Sequence, residues 1–314
     1  MPGPNRLEVL SPDGIGEVAA GADLAALAAG FVTDGDVLVV TSKVVSKSEG
    51  RVVRADRETA IRDETVRVVA RRGPTRIVET RTGVVMAAAG VDASNVEPGS
   101  VVLLPLDPDA SARRLREGLA ARTGANVAVI VSDTAGRAWR HGQTDFALGV
   151  AGMLALESFE GTTDGYGNPL AVTAPAVADE VAGIAEVVSG KLGGRPFTVV
   201  RGLADRVLPP GDHGPGAGVL VRETGTDMFG LGSREAVVAA LSATDRRAFG
   251  APAGTEDVVR AMSACGMAAT ATGDRVVVAA PAGDPRVAAL AFAHGWQVLA
   301  DESADSATVL VRLS

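Results

Sequence analysis

Between Asn126 and Gly149 the chain reads NVAVIVSDTAGRAWRHGQTDFALG. An apolar run, Val127 to Val131, is followed at once by Asp133, Thr134, Gly136, Arg137, Arg140, Gln143 and Asp145, with Trp139 among them. Such a run has the continuous apolar character of a strand buried on both faces. A carboxylate just past the end of a buried strand stands on the rim where ligands enter, and it can hold a divalent cation there. Glycine lets phosphate oxygens approach the backbone, and two arginines neutralise charged oxygens. The same residues also suit a plain polar loop, with an Asx-type turn at Asp133 and solvated arginines.

A second polar group follows Val37 to Val40, another buried-strand pattern, as Thr41-Ser-Lys-Val-Val-Ser-Lys-Ser-Glu-Gly50. Hydroxyls and ammonium groups delivered directly by a strand are suited to phosphate oxygens. Arginine is the default cation of this chain; its lysines are Lys43, Lys47 and Lys191 alone, and the first two are four residues apart. A compact ammonium where arginine is otherwise used fits a phosphate contact, and two exposed lysines placed by chance fit equally well. No Walker A sequence is present: Gly190-Lys191 is followed by Leu192 and lacks the earlier glycine. Gly14-Ile-Gly16-Glu-Val-Ala19 fits the loose dinucleotide pattern G-x-G-x-x-G/A, with Asp34 and Asp36 about twenty residues on. That pattern needs a strand before it and a helix at its third glycine position, and neither is clear here.

The elements that must position these groups follow from periodicity. Strands are expected at Leu7 to Leu10, Val37 to Val40, Val101 to Leu104, Val127 to Val131 and Phe197 to Arg201. Helices are expected at Asp23 to Phe31, the second half of Arg51 to Arg72, Asp109 to Ala121 with a Gly124 stop, Ala176 to Gly190, and from Arg234. Asp179-Glu180 would be first-turn acids that complement the helix dipole. Arg71, Arg72, Arg76 and Arg81 form a basic patch around Gly73-Pro74, which leads on to the polar cluster Asp92-Ala-Ser-Asn95. Beyond about Thr244 the composition restarts with helices at Thr255 to Met262 and Arg286 to His294, and strands at Arg275 to Ala279 and Thr308 to Arg312.

The 314 residues are 46% hydrophobic and 22% charged, which is enough for two domains with ordinary cores. Only 3% is aromatic, so packing rests on Ala, Val and Leu. A net charge of −8 argues against a general nucleic-acid or anionic-membrane surface. A single cysteine, Cys265, excludes an internal disulfide and a cysteine metal cage. The opening MPGPNRLEVL has neither the basic flank nor the apolar core of a signal peptide, and the chain reads as cytoplasmic.

Several segments, taken in order, resemble the coenzyme F420-0:L-glutamate ligases, the γ-glutamyl ligases of deazaflavin biosynthesis. They are GIGEV (Gly14 to Val18), VVTSKVVSKSEGR (Val39 to Arg51), AGVDASNV (Ala89 to Val96), SDTAGRAWRHGQTDFALG (Ser132 to Gly149), DGYGNPLAVT (Asp164 to Thr173) and AVADE (Ala176 to Glu180). The resemblance implies an α+β fold: a mixed-sheet core of two subdomains over residues 1–243, followed by a small α/β appendage over 244–314. It implies a homodimeric ligase that uses GTP, Mg²⁺ or Mn²⁺, and K⁺. In that reaction the terminal carboxylate of F420-0 is phosphorylated and L-glutamate displaces the phosphate. By matching motifs, Asp133 would be a metal ligand, and Ile15, Gly16, Glu17, Val18, Ser42, Lys47 and Gly136 would line the nucleotide. Arg137 and Arg140 would neutralise charge at the acyl phosphate or at the substrate's phosphodiester.

One departure stands out. Where many relatives place an acid after the position of Thr173, this chain has Ala174-Pro175. A further metal ligand is then expected from Asp164 or Asp179. Some relatives carry a flavin-binding nitroreductase-like domain behind the ligase; residues 244–314 are too few for it, so neither FMN nor reductase activity is expected. The competing readings are a non-catalytic F420- or nucleotide-binding module, motivated by Ala174-Pro175, and a dinucleotide-dependent oxidoreductase built on Gly14 to Ala19.

Overall fold

A computed structural model of the chain describes residues 6–281, 283–299 and 307–313. It contains two compact units, one made of Met1–Arg67 with Val78–Val221, the other of Val68–Ile77 with Arg222–Ser314. The fold is α+β, with mixed and antiparallel sheets. Among the described residues no helix is long and apolar enough to cross a membrane.

In chain order the elements run β1 (Glu8–Leu10), α1 (Leu24–Ala28), β2 (Val37–Thr41), α2 (Ser42–Ser48), β3 (Val52–Arg54), α3 (Arg57–Glu64), β4 (Thr65–Arg72), β5 (Thr75–Thr80), β6 (Val85–Ala87) and β7 (Ser100–Val102). They continue as α4 (Pro108–Thr123), β8 (Ala128–Arg137), β9 (Arg140–Ala151), α5 (Val177–Ser189) and β10 (Phe197–Arg201). The last part holds α6 (Ser233–Ser242), α7 (Thr255–Ala264), β11 (Ala269–Thr272), β12 (Arg275–Val278), α8 (Pro285–Ala293), β13 (Trp296–Leu299) and β14 (Thr308–Arg312).

The first unit is organised around a five-stranded sheet in the order β1-β10-β2-β8-β9. Its β2–β8 pair is parallel, with Thr41 opposite Ser132, and the other neighbours are antiparallel. Successive side chains of a strand point to opposite faces, and here both faces are covered. Leu38, Val40, Val127, Val129 and Val131 pack with α1 and α4 on one face. Val37, Val39, Ala128 and Ile130 pack with Val177, Val181 and Ala185 of α5 on the other. Helix α4 starts where Asp107 accepts the Ala110 amide and Pro108 occupies the first turn, and it stops at Gly124, whose φ is 74°. Against the start of α4 lies Gly149 of β9, where a Cβ would come within 2.2 Å of the Pro108 carbonyl.

The second unit carries an antiparallel sheet in the order β11-β12-β14-β13. Its core joins Val258 and Met262 of α7, Val276 and Val278 of β12, Val287 and Ala291 of α8, Trp296 and Leu310. The Trp296 indole donates to the Ala253 carbonyl at 3.0 Å, which lets a large aromatic ring be buried without an unpaired N–H. α6 belongs to this unit, which therefore begins before the composition change near Thr244.

Two expectations change, and one doubt holds. The second half of Arg51 to Arg72 is mostly strand, because TVRVVARR is rich in β-branched residues while Asp56 caps a helix over Arg57–Glu64. The residues after Val131 are no loop: β8 runs on to Arg137 and turns through Ala138-Trp139 into β9. The dinucleotide pattern at Gly14 lacks its setting, since β1 is three residues long and the next helix starts only at Leu24.

Candidate functional site

The parallel pair β2–β8 brings two polar segments to one sheet rim. β2 ends at Thr41 and the chain turns directly into α2, which opens with Ser42, a buried residue. Lys43 and Lys47 are one helical turn apart and share a face of α2. Asp133 lies one residue beyond the last β2–β8 partner, Ser132.

Lys43 Nζ reaches Asp92 Oδ2 and Ser94 Oγ, both at 2.6 Å. Asp92 also accepts the amide and hydroxyl of Ser94, each at 2.8 Å. Burial pushes the Asp92 carboxyl up, but the Lys43 and Ser94 hydrogen bonds outweigh it and hold the group below its usual range. Asp133 is different. Burial raises it to about 6; the Thr134 amide works against that rise, the Asp145 and Asp92 charges add to it, and Lys43 partly offsets them. Asp133 makes no ion pair among the described residues.

Lys47 pairs with the Glu17 carboxylate, and the two are unequal: the lysine side chain is 7% exposed, the glutamate 78%. Beside them is a cleft of about 330 Å³ lined by Glu17, Val18, Lys47, Asn95, Val96 and Glu97, among others. Of the residues expected at a nucleotide, Glu17, Val18 and Lys47 thus share one cleft. Ile15 packs instead against the core face that holds α1 and α4, and Gly16 is exposed beside it. Gly136 is placed elsewhere, on the exposed outer part of β8 opposite Gln143, with nothing within 4 Å of where a Cβ would be.

Arg137 and Arg140 face each other at the hairpin tip, both exposed, and Arg137 donates to the His141 carbonyl at 3.1 Å. Arg137 lies four positions beyond Asp133 on β8, a span of roughly 13 Å between backbones. The two arginines therefore stand well away from the carboxylate.

The three aspartates expected at a cation are not gathered. Among the described residues no group of three or more His, Cys, Asp or Glu could hold a metal ion. Asp164 is spent on its own loop: its carboxylate accepts the amides of Tyr166 and Asn168 and the Asn168 side chain at 2.8 to 2.9 Å. Those bonds, led by the Asn168 side chain, hold it below the usual carboxylate range. Asp179 sits in the first turn of α5, and its Oδ1 accepts the Ala147 amide of β9 at 2.9 Å. Burial raises its carboxyl, and the Ala147 amide offsets part of the rise.

Sequence reasoning left four participants unassigned: Asp92, Ser94, Asp145 and Lys191. Asp145 lies across the hairpin from Thr134 and accepts from Ser132 Oγ at 3.0 Å and Thr134 Oγ1 at 2.6 Å. Lys191, just past α5, reaches Thr134 Oγ1 at 2.5 Å and Glu186 at 2.9 Å, with Asp145 at 3.8 Å. All three lysines of the chain therefore meet carboxylates in this unit. That lysine scarcity was the available signal for Lys191; its partners Thr134 and Asp145 come from a distant segment and left none.

The profile of the F420-0:Gamma-glutamyl ligase family matches residues 56–202. Over 220 residues the chain is 42% identical to the Coenzyme F420:L-glutamate ligase of Archaeoglobus fulgidus, covering 63% of this chain and 88% of that protein. It is 40% identical over 224 residues to the protein of the same name from Halobacterium salinarum, covering 62% and 87%. Against that from Natronomonas pharaonis the identity is 37% over 250 residues, covering 71% and 94%.

Proposed function

This chain belongs to the F420-0:Gamma-glutamyl ligase family, and from that premise we propose that it joins L-glutamate to coenzyme F420-0 with GTP as the phosphoryl donor. A carboxylate oxygen of F420-0 attacks the γ-phosphorus, and the bond to the GDP oxygen breaks. The glutamate amine then attacks the acyl carbon, the bond to phosphate breaks, and the nitrogen gives up a proton. The products are an amide, GDP and phosphate. Such chemistry needs positioning and charge neutralisation rather than a nucleophilic side chain.

The observation that carries this reading is the pairing of a lysine-bearing helix start, Ser42 to Lys47, with Asp133 where the parallel pairing of β2 with β8 ends. Lys47 would grip phosphate oxygens as a point charge, with Glu17 swinging aside, and Val18 would close the cleft. Asp133 suits a divalent cation that takes most of its ligands from water and phosphate oxygens, as Mg²⁺ does, rather than from an all-protein cage. When bound, the cation would neutralise phosphate charge. Asp179 is held to the Ala147 amide on the face packed by α5, opposite the face to which Asp133 points, so we leave it a structural residue and not a ligand of this cation. Arg137 and Arg140, about 13 Å from Asp133 along the strand, are better placed for the substrate's phosphodiester than for its acyl phosphate.

A homodimer is supported by exposed apolar side chains: Val187 on α5, then Leu192, Val172 and Tyr166. The test of the function is mass spectrometry of F420-0 incubated with GTP, Mn²⁺ and L-glutamate. Added glutamyl mass with release of GDP is expected. GTP binding without glutamate-dependent turnover would favour the binding-module reading, for which Ala174-Pro175 is the motive.

A further inference from the structure

Asp133 projects from a strand that has just lost a neighbour. β8 pairs with β2 only as far as Ser132, and its pairing with β9 shifts register between Val131 and Ser132. A strand leaving a sheet beside such a bulge is free to twist, and a twist redirects every side chain on it. Here the residues on either side of Asp133 are tied down. Ser132 and Thr134 point to the face opposite Asp133, as strand alternation requires. Both hydroxyls donate to one carboxylate, that of Asp145: Ser132 to Oδ2 at 3.0 Å and Thr134 to Oδ1 at 2.6 Å. The Asp145 side chain is 12% exposed, and Lys191 balances its charge from 3.8 Å while donating to Thr134 at 2.5 Å.

We propose that Asp145 is a positioning residue, which clamps Ser132 and Thr134 from the far face of the hairpin and so fixes the direction in which Asp133 presents its carboxylate. Lys191 completes the clamp from the same side, donating to the Thr134 hydroxyl and facing the Asp145 carboxylate. The inference rests on the assignment of Asp133 to a divalent cation.

The test separates the clamp from electrostatics. A double variant, Ser132→Ala with Thr134→Val, removes both hydroxyls while leaving every charge in place. Mn²⁺ binding to the full chain, measured by electron paramagnetic resonance, should weaken by roughly tenfold, as expected when hydrogen bonds to a charged group are lost. Thr134→Ser, which keeps its hydroxyl, should bind as the wild type. Asp133→Asn is measured beside them and should abolish Mn²⁺ binding, leaving the free-ion signal at full intensity. Wild-type affinity in the folded double variant, checked by its circular dichroism, overturns the clamp alone. Unchanged Mn²⁺ binding in Asp133→Asn, or none in the wild type, overturns the cation assignment and the clamp with it. Should the double variant fail to fold, Lys191→Met is the second measurement, and unaltered Mn²⁺ affinity there overturns the clamp.

Discussion

The carboxylate of Asp179 accepts the Ala147 amide at the inner of two register shifts between β8 and β9, where β9 carries one residue more. Val131 faces Gly149 and Ser132 faces Ala147, so Leu148 is the extra residue. A bulge leaves a backbone group without its ladder partner, and Asp179 supplies one from the first turn of α5. The acid thus has structural work besides any part in holding a cation.

Asn in place of Asp179 keeps an acceptor for Ala147, so Asp179→Asn should melt within a degree or two of the wild type without metal. Asp179→Ala should lose about 1–2 kcal/mol, the cost of a buried amide left unpaired. Neither variant should change Mn²⁺ affinity, since Asp179 stands on the face opposite Asp133. Thermal melts and Mn²⁺ titrations on the same samples check both outcomes, and weakened Mn²⁺ binding in Asp179→Asn would bring Asp179 into the cation site.

Lys47 is nearly buried while its partner Glu17 is largely exposed. Removing the ammonium therefore strands no buried charge, and Lys47→Met should cost little stability. Its effect should fall on the nucleotide: a loss of at least about tenfold in GTP affinity, the size expected for a charge-assisted phosphate contact. Calorimetric titration with GTP reads it directly. Unaltered affinity would remove Lys47 from the phosphate site.

How much of this was readable beforehand depends on the range of the interactions. β2, β10 and α4 announced themselves, the strands by unbroken apolar runs and the helix by Asp107, Pro108 and Gly124. The outer hairpin did not, because Thr134, Arg137 and Gln143 carry no apolar alternation and are held as strand by pairing across the turn. β11 and β13 were missed for a related reason: each has four residues and gains its identity from its neighbour. At the site, Ser42, Lys47 and Asp133 could be picked out because they follow strands. Asp92 could not be joined to Lys43, since that contact closes a long stretch of chain and no local pattern encodes it.

Asp133 should make stability depend on pH. Its carboxyl rises from 3.8 to about 6 on folding, so the folded state binds the proton more tightly. The associated stabilisation is complete below 3.8 and is lost as pH rises through 6. Asp133→Asn abolishes that dependence. Without metal it should match the wild type near pH 4 and exceed it at pH 7 to 8 by about 2 kcal/mol. Urea unfolding of both proteins across this range gives the difference directly. A constant gap, independent of pH, would show that Asp133 titrates normally. Saturating Mn²⁺ should stabilise the wild type alone, because the cation replaces the proton on a carboxylate that the variant lacks.

Arg137 is exposed at the hairpin tip, and among the described residues its side chain is bonded locally, to the His141 carbonyl. Arg137→Ala should therefore melt with the wild type. Since roughly 13 Å separates it from Asp133, phosphoryl transfer itself should not feel the loss directly. A guanidinium that meets a phosphodiester binds ground state and transition state alike, and its removal raises KM with little change in kcat. The expected result is a KM for F420-0 raised about tenfold or more, the KM for GTP unchanged, and kcat within about twofold. Were kcat to fall instead with KM intact, the tip would have to fold down onto the acyl phosphate during turnover. Trp139, 84% exposed at φ 64° in that turn, would then report the movement by its fluorescence.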